Sequence, residues 1–570
     1  MYTASTALLE ALQETGVSFL FANLGSDHPA LIEAIAEGRA RGARLPQVIT
    51  CPNEMVALSS AHGFAQLSGQ AQAVIVHVEC GTQALGGAVH NAARGRVPVF
   101  IFAGLSPMTQ QGELRGSRNE FIQWIQDVHD QRGIVREYMK YDNEFRTAKN
   151  VKAIVRRAMQ FAHSDPKGPV YLVGAREVME EECEPIETSI SPCRALSPAA
   201  LPAELVAEIV TALEQARRPL IVTSYVGRKP EAVGELQRLA RTLGIGVLES
   251  VPNFMNYPHD DDMYVGSQWN QPQQNAALAD ADVILVIDSD VPWIPTVSRP
   301  ADGTVIFHID ADPLKASMPL WYIDTLRSCQ ADATTALAQM NASLRGRTRD
   351  AGAIAERSRH YSELHKARLE RLRSAERPDP EVITSEHLTA SLRRAIGSDA
   401  VVMNEGITNY SVICDHVAPT QPGCFFNSGG GSLGWNGGAA IGAKLARPDK
   451  LIVALSGDGS YLFCVPSSVH WMARRYKTPF LQVIYNNGGW QAPRVSALAV
   501  HPSGYASRSD DLGLSFDPEP DYAGIAAAAG GAFARKVTQP GELDEAIAAA
   551  LHAVQVEGRA AVLDVALSRR

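Results

Sequence analysis

The chain has 570 residues, 45% hydrophobic and 20% charged, with a formal net charge of −10. This length exceeds what one hydrophobic core can serve and predicts several domains. The acid excess excludes a general nucleic-acid binder, which needs a basic face, and no run of about 18 uninterrupted apolar residues suggests a membrane-spanning helix.

The first residues, MYTASTALLEALQETG, read as an amphipathic helix capped by a threonine. No basic region leads into an apolar core there, so no signal peptide is expected. Apolar, β-branched runs then alternate with helix-length segments almost throughout, the rhythm of α/β architecture with parallel sheets. The first block contains VSFLFANLG, AVIVHVECG, VPVFIFAG and GPVYLVG. A segment rich in proline, serine and acid, Glu180 to Pro202, reads as a linker. The second block has RPLIVTSYVG, GIGVLES, ADVILVIDSD and GTVIFHIDADP. A charged, helix-prone stretch from Ala351 to Arg377 ends at RPDPEV, a second boundary. The third block holds AVVMNEG, KLIVALSGDG, PFLQVIYNN and AAVLDVAL. Three doubly wound α/β domains are therefore expected, over residues 1–180, 200–345 and 380–570, the first and third with a similar strand rhythm. The eight cysteines include no CxxC pair. Cys183 and Cys193 are close enough in the linker to be read as a disulfide, but reduced thiols in the cytoplasm are the expected state.

The most informative stretch runs from Leu451 to Trp490. Two strand-like runs, LIVAL and PFLQVIY, flank a segment of helical length, and each ends in a polar cluster: Gly-Asp-Gly and Asn-Asn. Both clusters fall at the carboxyl ends of parallel strands, where open α/β sheets bind ligands. Asp458 and Asn487 can therefore share one ligand, and an oxygen pair of this kind suits magnesium. The glycines at 457 and 459 let a diphosphate approach backbone N–H groups. A rival reading takes Gly429 to Gly434, GGGSLG, as a dinucleotide fingerprint with Asp458 as the ribose-binding acid. It leaves the Asn-Asn pair unexplained.

GDG followed about thirty residues later by NN resembles the signature of thiamine-diphosphate-dependent enzymes, and the likeness extends over essentially the whole chain. The resemblance implies thiamine diphosphate and Mg2+ as cofactors, with Asp458, Asn487 and the carbonyl of Gly489 on the metal. It implies diphosphate contacts from Gly457, Gly459 and Ser460, and from Gly406, Ile407 and Thr408 in VVMNEGITN. Leu433 matches the bulky residue that holds this cofactor bent. Gly438 stands where many relatives have proline, which leaves that helix start less rigid.

Glu54, in VITCPNEMVALSSAHGFAQLSG, reads from the residues alone either as a helix-start glutamate or as a functional acid. The resemblance makes it the carboxylate that hydrogen-bonds the aminopyrimidine ring and activates the cofactor. In this family that glutamate and the diphosphate site come from different subunits, so a homodimer or homotetramer with shared sites is implied. Within the superfamily the chain looks most like the acetolactate synthase and benzoylformate decarboxylase branch, which acts on 2-oxo acids. His77 matches a catalytic histidine there, suited to proton relay near neutral pH; the plain alternative is a satisfied histidine at a strand end. Ser26, His28, Trp490 and Gln491 are implied to wall the substrate pocket, with Glu79 and Cys80 also at that strand end. The segment after Gln491 is long and polar, either a lid or a surface loop. The central block's first turn, SYVGRKPEA, carries one glycine where flavin-binding relatives show a cluster, so FAD is not expected. The expected activity is decarboxylation of a small-molecule 2-oxo acid with aldehyde release, or carboligation of the acetolactate type. Two alternatives are a 2-hydroxyacyl-CoA lyase using the same cofactor, which needs a nucleotide site on the central domain, and a non-catalytic cofactor-binding scaffold.

Overall fold

The computed structural model describes residues 2–187, 194–509 and 512–568. Three six-stranded sheets, all of whose pairings are parallel, lie in sequence along the chain. The first comprises β1 (Phe19–Ala22), β2 (Gln47–Thr50), β3 (Ala73–Val76), β4 (Val99–Leu105), β5 (Tyr141–Phe145) and β6 (Pro169–Ala175). The central sheet comprises β7 (Pro219–Thr223), β8 (Gly246–Ser250), β9 (Tyr264–Gln268), β10 (Val283–Ile287), β11 (Val305–Asp310) and β12 (Arg327–Gln330). The third comprises β13 (Val401–Glu405), β14 (Phe425–Phe426), β15 (Ile452–Gly457), β16 (Leu481–Asn486), β17 (Phe533–Val537) and β18 (Ala561–Ala566).

The first sheet has the order β2-β1-β3-β4-β6-β5 and the third β14-β13-β15-β16-β18-β17, the same topology twice. The shared strand rhythm of the two blocks thus reflects a shared wiring. The central sheet, β12-β11-β10-β7-β8-β9, has instead the order of a dinucleotide-binding fold. The winding reverses between β1 and β3, between β7 and β10, and between β13 and β15; the first and third sheets turn back again at the far edge, where β6 lies inside β5 and β18 inside β17. Those switch points are where crevices open at the strand ends.

Inner strands such as β3, β10 and β15 are buried on both faces, which explains their continuous apolar runs. The first helix, Ala4–Glu14, has a capping box between Thr3 and Thr6. The 25-residue helix Ala351–Ala375 lies against the central sheet despite its charge. Its Arg357 donates to the carbonyls of Leu243, Glu214 and Ala216, and Tyr361 donates to that of Pro219. The first and third sheets are joined by the helices Glu54–Ser68 and Asn436–Ala446, which cross with backbones nearly touching. A Cβ on Gly442 would stand 1.8 Å from the carbonyl oxygen of Ser60. Gly438 belongs to the same contact, with a Cβ there only 2.8 Å from that of Ser59. Cys183 is a free thiol, and Cys193 lies outside the described residues. Among the described residues no helix is long and apolar enough to cross a membrane.

Candidate active site

At the third sheet's switch point, β15 runs into the short helix Asp458–Phe463, and Asp458 is buried at its first position. Its carboxylate accepts from the backbone N–H groups of Gly459 (2.7 Å), Gly488 (2.8 Å) and Gly489 (3.0 Å). The last two bonds draw the turn after β16 against the end of β15, so the two polar clusters do share one crevice. Burial raises the Asp458 carboxyl above its ordinary range, against the pull of those N–H groups. The Asn487 amide nitrogen lies 3.4 Å from Thr408 Oγ1, and the amide oxygen is buried with no partner. Ser460 Oγ is buried without a partner as well. Such groups carry an unpaid desolvation penalty, and they suit a cation and an anionic ligand respectively. The Gly489 carbonyl accepts from Gln491.

Across the switch point, Gly406, Ile407 and Thr408 follow β13, and Ile407 holds a φ of 50°. A β-branched residue in the left-handed region is strained, a state that clusters at ligand sites. Glu405, which the sequence reading passed over, fixes the glycine-rich turn. Its carboxylate accepts from Gly434 N (2.5 Å) and Asn436 N (2.7 Å), and burial pushes its pKa up to about 7. This clamp fixes the turn that carries the half-buried Leu433. Trp490 packs over Gly459 and meets Phe516 edge-on at 5.0 Å. After it, Gln491 opens a helix, Gln491–Val500, with no buried residue, so the polar segment is helical at its start. Residues 512–516 fold back over the turn, with Trp490 N bonding the Leu514 carbonyl.

The first sheet's switch point carries the remaining candidates. Glu54 opens the helix Glu54–Ser68 after β2, capped by Asn53. Its carboxylate accepts from Asn23 Nδ2 at 2.8 Å, and Asn23 follows β1. Among the described residues no hydrogen bond joins Glu54 to the Asp458–Asn487 crevice within the chain. His77 follows β3, its Nδ1 2.5 Å from Asp27 Oδ1 and its Nε2 3.1 Å from Gln126 Oε1. The Asp27 contact raises the His77 pKa. Asp27 and Gln126, both buried, were not singled out by the sequence; the only signal was the acid next to Ser26. Ser26 is half-buried. His28 is 2% exposed, packed behind Asp27 and against Phe102, so it backs the wall instead of presenting a surface. Cys80 is exposed and donates to the buried Glu79 at 2.9 Å.

The strand ends at the central switch point carry ion pairs. Arg96, from the loop before β4, reaches Asp290 (2.7 Å) and Asp310 (3.0 Å) at the strand ends. Lys315 binds the same two carboxylates at 2.7 and 2.6 Å, and Arg228 bonds Asp288 at 3.1 Å. The Arg96 guanidinium also lies 4.7 Å from the Tyr225 ring centre. A basic cluster thus stands at these strand ends, paired with the three aspartates.

Residues 2–134 match the thiamine pyrophosphate enzyme N-terminal TPP-binding domain, 206–338 the central domain and 406–565 the C-terminal TPP-binding domain. The chain is 25% identical to benzoylformate decarboxylase of Pseudomonas aeruginosa over 516 residues, 87% of this chain and 88% of that protein. It is 24% identical to 2-hydroxyacyl-CoA lyase 2 of Danio rerio over 531 residues, 85% and 80% of the two chains. In fold it is similar to the thiamine diphosphate-dependent 4-hydroxybenzoylformate decarboxylase of Rhodococcus jostii RHA1, with a TM-score of 0.78 over the whole of both chains at 20% identity. With three consecutive domain matches over most of its length, the chain belongs to the thiamine pyrophosphate enzymes, in the superfamily of decarboxylases and carboligases that use this cofactor.

Proposed function

We propose that the protein is a thiamine-diphosphate- and magnesium-dependent enzyme that cleaves or forms a carbon–carbon bond next to a carbonyl, acting on a small 2-oxo acid. The observation that carries this reading is the pair of buried, partnerless oxygens, Asn487 Oδ1 and Ser460 Oγ, in the crevice that Asp458 closes. Asp458, Asn487 and the Gly489 carbonyl would hold the metal, an oxygen donor set of the kind magnesium takes. Gly406, Ile407, Thr408, Gly457, Gly459 and Ser460 would hold the diphosphate. When bound, thiamine diphosphate supplies a nucleophilic carbon and an electron sink, which lets a bond beside a carbonyl break.

The chain's own residues do the rest. Glu54, oriented by Asn23, offers a carboxylate to the ring that activates the cofactor. A homodimer or homotetramer with sites shared between subunits is part of this proposal. Leu433 shapes the bound ligand, and Trp490, Gln491 and Ser26 wall the pocket and exclude water. His77 keeps a proton at a ring nitrogen for the reacting carbon or oxygen. Decarboxylation with aldehyde release is the simplest outcome, and capture by a second carbonyl the next. Arg96, Arg228 and Lys315 are paired with carboxylates and offer a coenzyme A phosphate no free partner at those strand ends. Carbon dioxide release from a panel of 2-oxo acids, with and without thiamine diphosphate and magnesium, tests the reading. Release that requires both supports it; no cofactor-dependent release or ligation from any member would overturn it.

A further inference from the structure

We propose that Asp27 is a positioning residue for His77: its buried carboxylate grips Nδ1 and leaves the Nε2–H as the proton donor at the crevice. The role in turnover rests on the function proposed above. The geometry of the pair stands apart from it.

The pair is built into the first sheet's switch point with unusual closeness. Asp27 is 3% exposed, and its two oxygens have separate duties. Oδ1 lies 2.5 Å from His77 Nδ1, and Oδ2 accepts from Val78 N at 3.1 Å. Val78 holds a φ of 32°, an uncommon and strained state for a β-branched residue. That strain sets the N–H beside His77 onto the same carboxylate, so one acid fixes both the ring and the backbone that carries it. Two glycines clear the space. A Cβ on Gly104 of β4 would stand 2.0 Å from Asp27 Oδ2, and one on Gly25 only 2.1 Å from His77 Nδ1.

The other charged or titratable groups around the pair are His28, Glu79 and Tyr171. His28 Nδ1 lies 2.9 Å from Asp27 Oδ1 and 3.1 Å from Gly25 N, a second imidazole set against the same acid. Glu79, on the helix after His77, is occupied by Cys80 and Gln83. Tyr171 of β6 bonds Thr82 and Gln131. Asp27 is therefore the acid that acts directly on the ring. Burial alone would raise its own pKa, yet the facing histidines hold it well below the ordinary carboxylate range. On its far side the ring meets the amide oxygen of Gln126, an acceptor, and the His77 side chain remains 25% exposed. An imidazole between a carboxylate and an amide oxygen has an acceptor at each nitrogen. With both acceptors in place it is a donor at each nitrogen, Nδ1 to the carboxylate and Nε2 to the Gln126 amide oxygen, which the Nε2 proton must leave to reach a substrate.

The test is a nitrogen NMR titration of 15N-histidine-labelled protein without cofactor or substrate, with His77→Gln to assign the signal. In the wild type, His77 should titrate above the ordinary value of about 6.5. In Asp27→Asn, which keeps shape and removes charge, the midpoint should fall by a unit or more and the Nδ1–H preference should weaken. Gly104→Ala should act in the same direction by displacing the carboxylate, which serves if the first variant does not fold. An unchanged midpoint and tautomer in a folded variant would overturn the proposal. So would a wild-type midpoint at or below the ordinary value, whatever the variants do. With cofactor present, exchange of its C2 proton should stay normal in Asp27→Asn while kcat falls at least tenfold and KM changes little. If the protein turns over no 2-oxo acid, the titration still decides whether Asp27 governs His77.

Discussion

The third sheet and the central sheet each open a crevice at a topological switch point, and the two are lined in opposite ways. Beside β15, the crevice is lined by backbone N–H groups, one buried carboxylate and two oxygens with no partner. Beside β10, Asp288, Asp290 and Asp310 occupy the strand ends and are met by Arg96, Arg228 and Lys315. A buried polar group left unpaired calls for an explanation, a water, an ion or a ligand among them, and Asp288 Oδ1 of the central cluster is one too. A buried charge cluster closed on itself implies structure, because its partners are already internal. Strand order alone would point to the central crevice, since that sheet has the arrangement of a dinucleotide-binding fold.

The contrast can be broken at several points. The largest effect is expected at Glu54. Glu54→Gln keeps the shape but weakens the charge-assisted hydrogen bond, so C2 proton exchange in the bound cofactor should slow roughly 10²–10⁴-fold while cofactor affinity is retained. Proton NMR in deuterated buffer reads this, and wild-type exchange in the variant would remove Glu54 from its role.

Arg96→Met attacks the central crevice instead. It leaves carboxylates buried with too little positive charge, which should destabilise the protein by about 3–5 kcal/mol, seen as a lower denaturant midpoint. Cofactor affinity per folded molecule should not change. Retained stability together with new affinity for a nucleotide would mean that the central crevice is a ligand site after all.

The smallest effect sharpens the other side. Among the described residues Ser460 Oγ has no partner, so Ser460→Ala should leave the stability of the cofactor-free protein within about 0.5 kcal/mol. Affinity for thiamine diphosphate should drop about tenfold, the value of one hydrogen bond to a charged group. A drop in stability with unchanged affinity would mark the hydroxyl as structural.

What the sequence reveals follows the same physical division. In each sheet the four inner strands are legible as apolar runs, such as VFIFAG for β4 and VILVI for β10, because both faces are buried. The edge strands β5 and β17, YDNEF and FARKV, have one neighbour and partly exposed side chains, so periodicity does not mark them. Asp458 and Asn487 could be paired in advance because one βαβ unit carries both. Asp27 and Gln126 could not, since the contact that gives them meaning spans separate loops. Glu405 escaped for a similar reason: its partners, Gly434 and Asn436, lie about thirty residues on and contribute only backbone. The charge cluster on the central sheet was invisible because Arg96 enters it from the first unit of the chain.

The most direct measurement is a calorimetric titration of thiamine diphosphate into metal-free protein, with and without magnesium, for the wild type and Asp458→Ala. Saturable binding that requires magnesium in the wild type, and none in the folded variant, is the expected result. Equal affinity in the two proteins, or wild-type binding indifferent to magnesium and to a chelator, would contradict a diphosphate held through a metal at the end of β15.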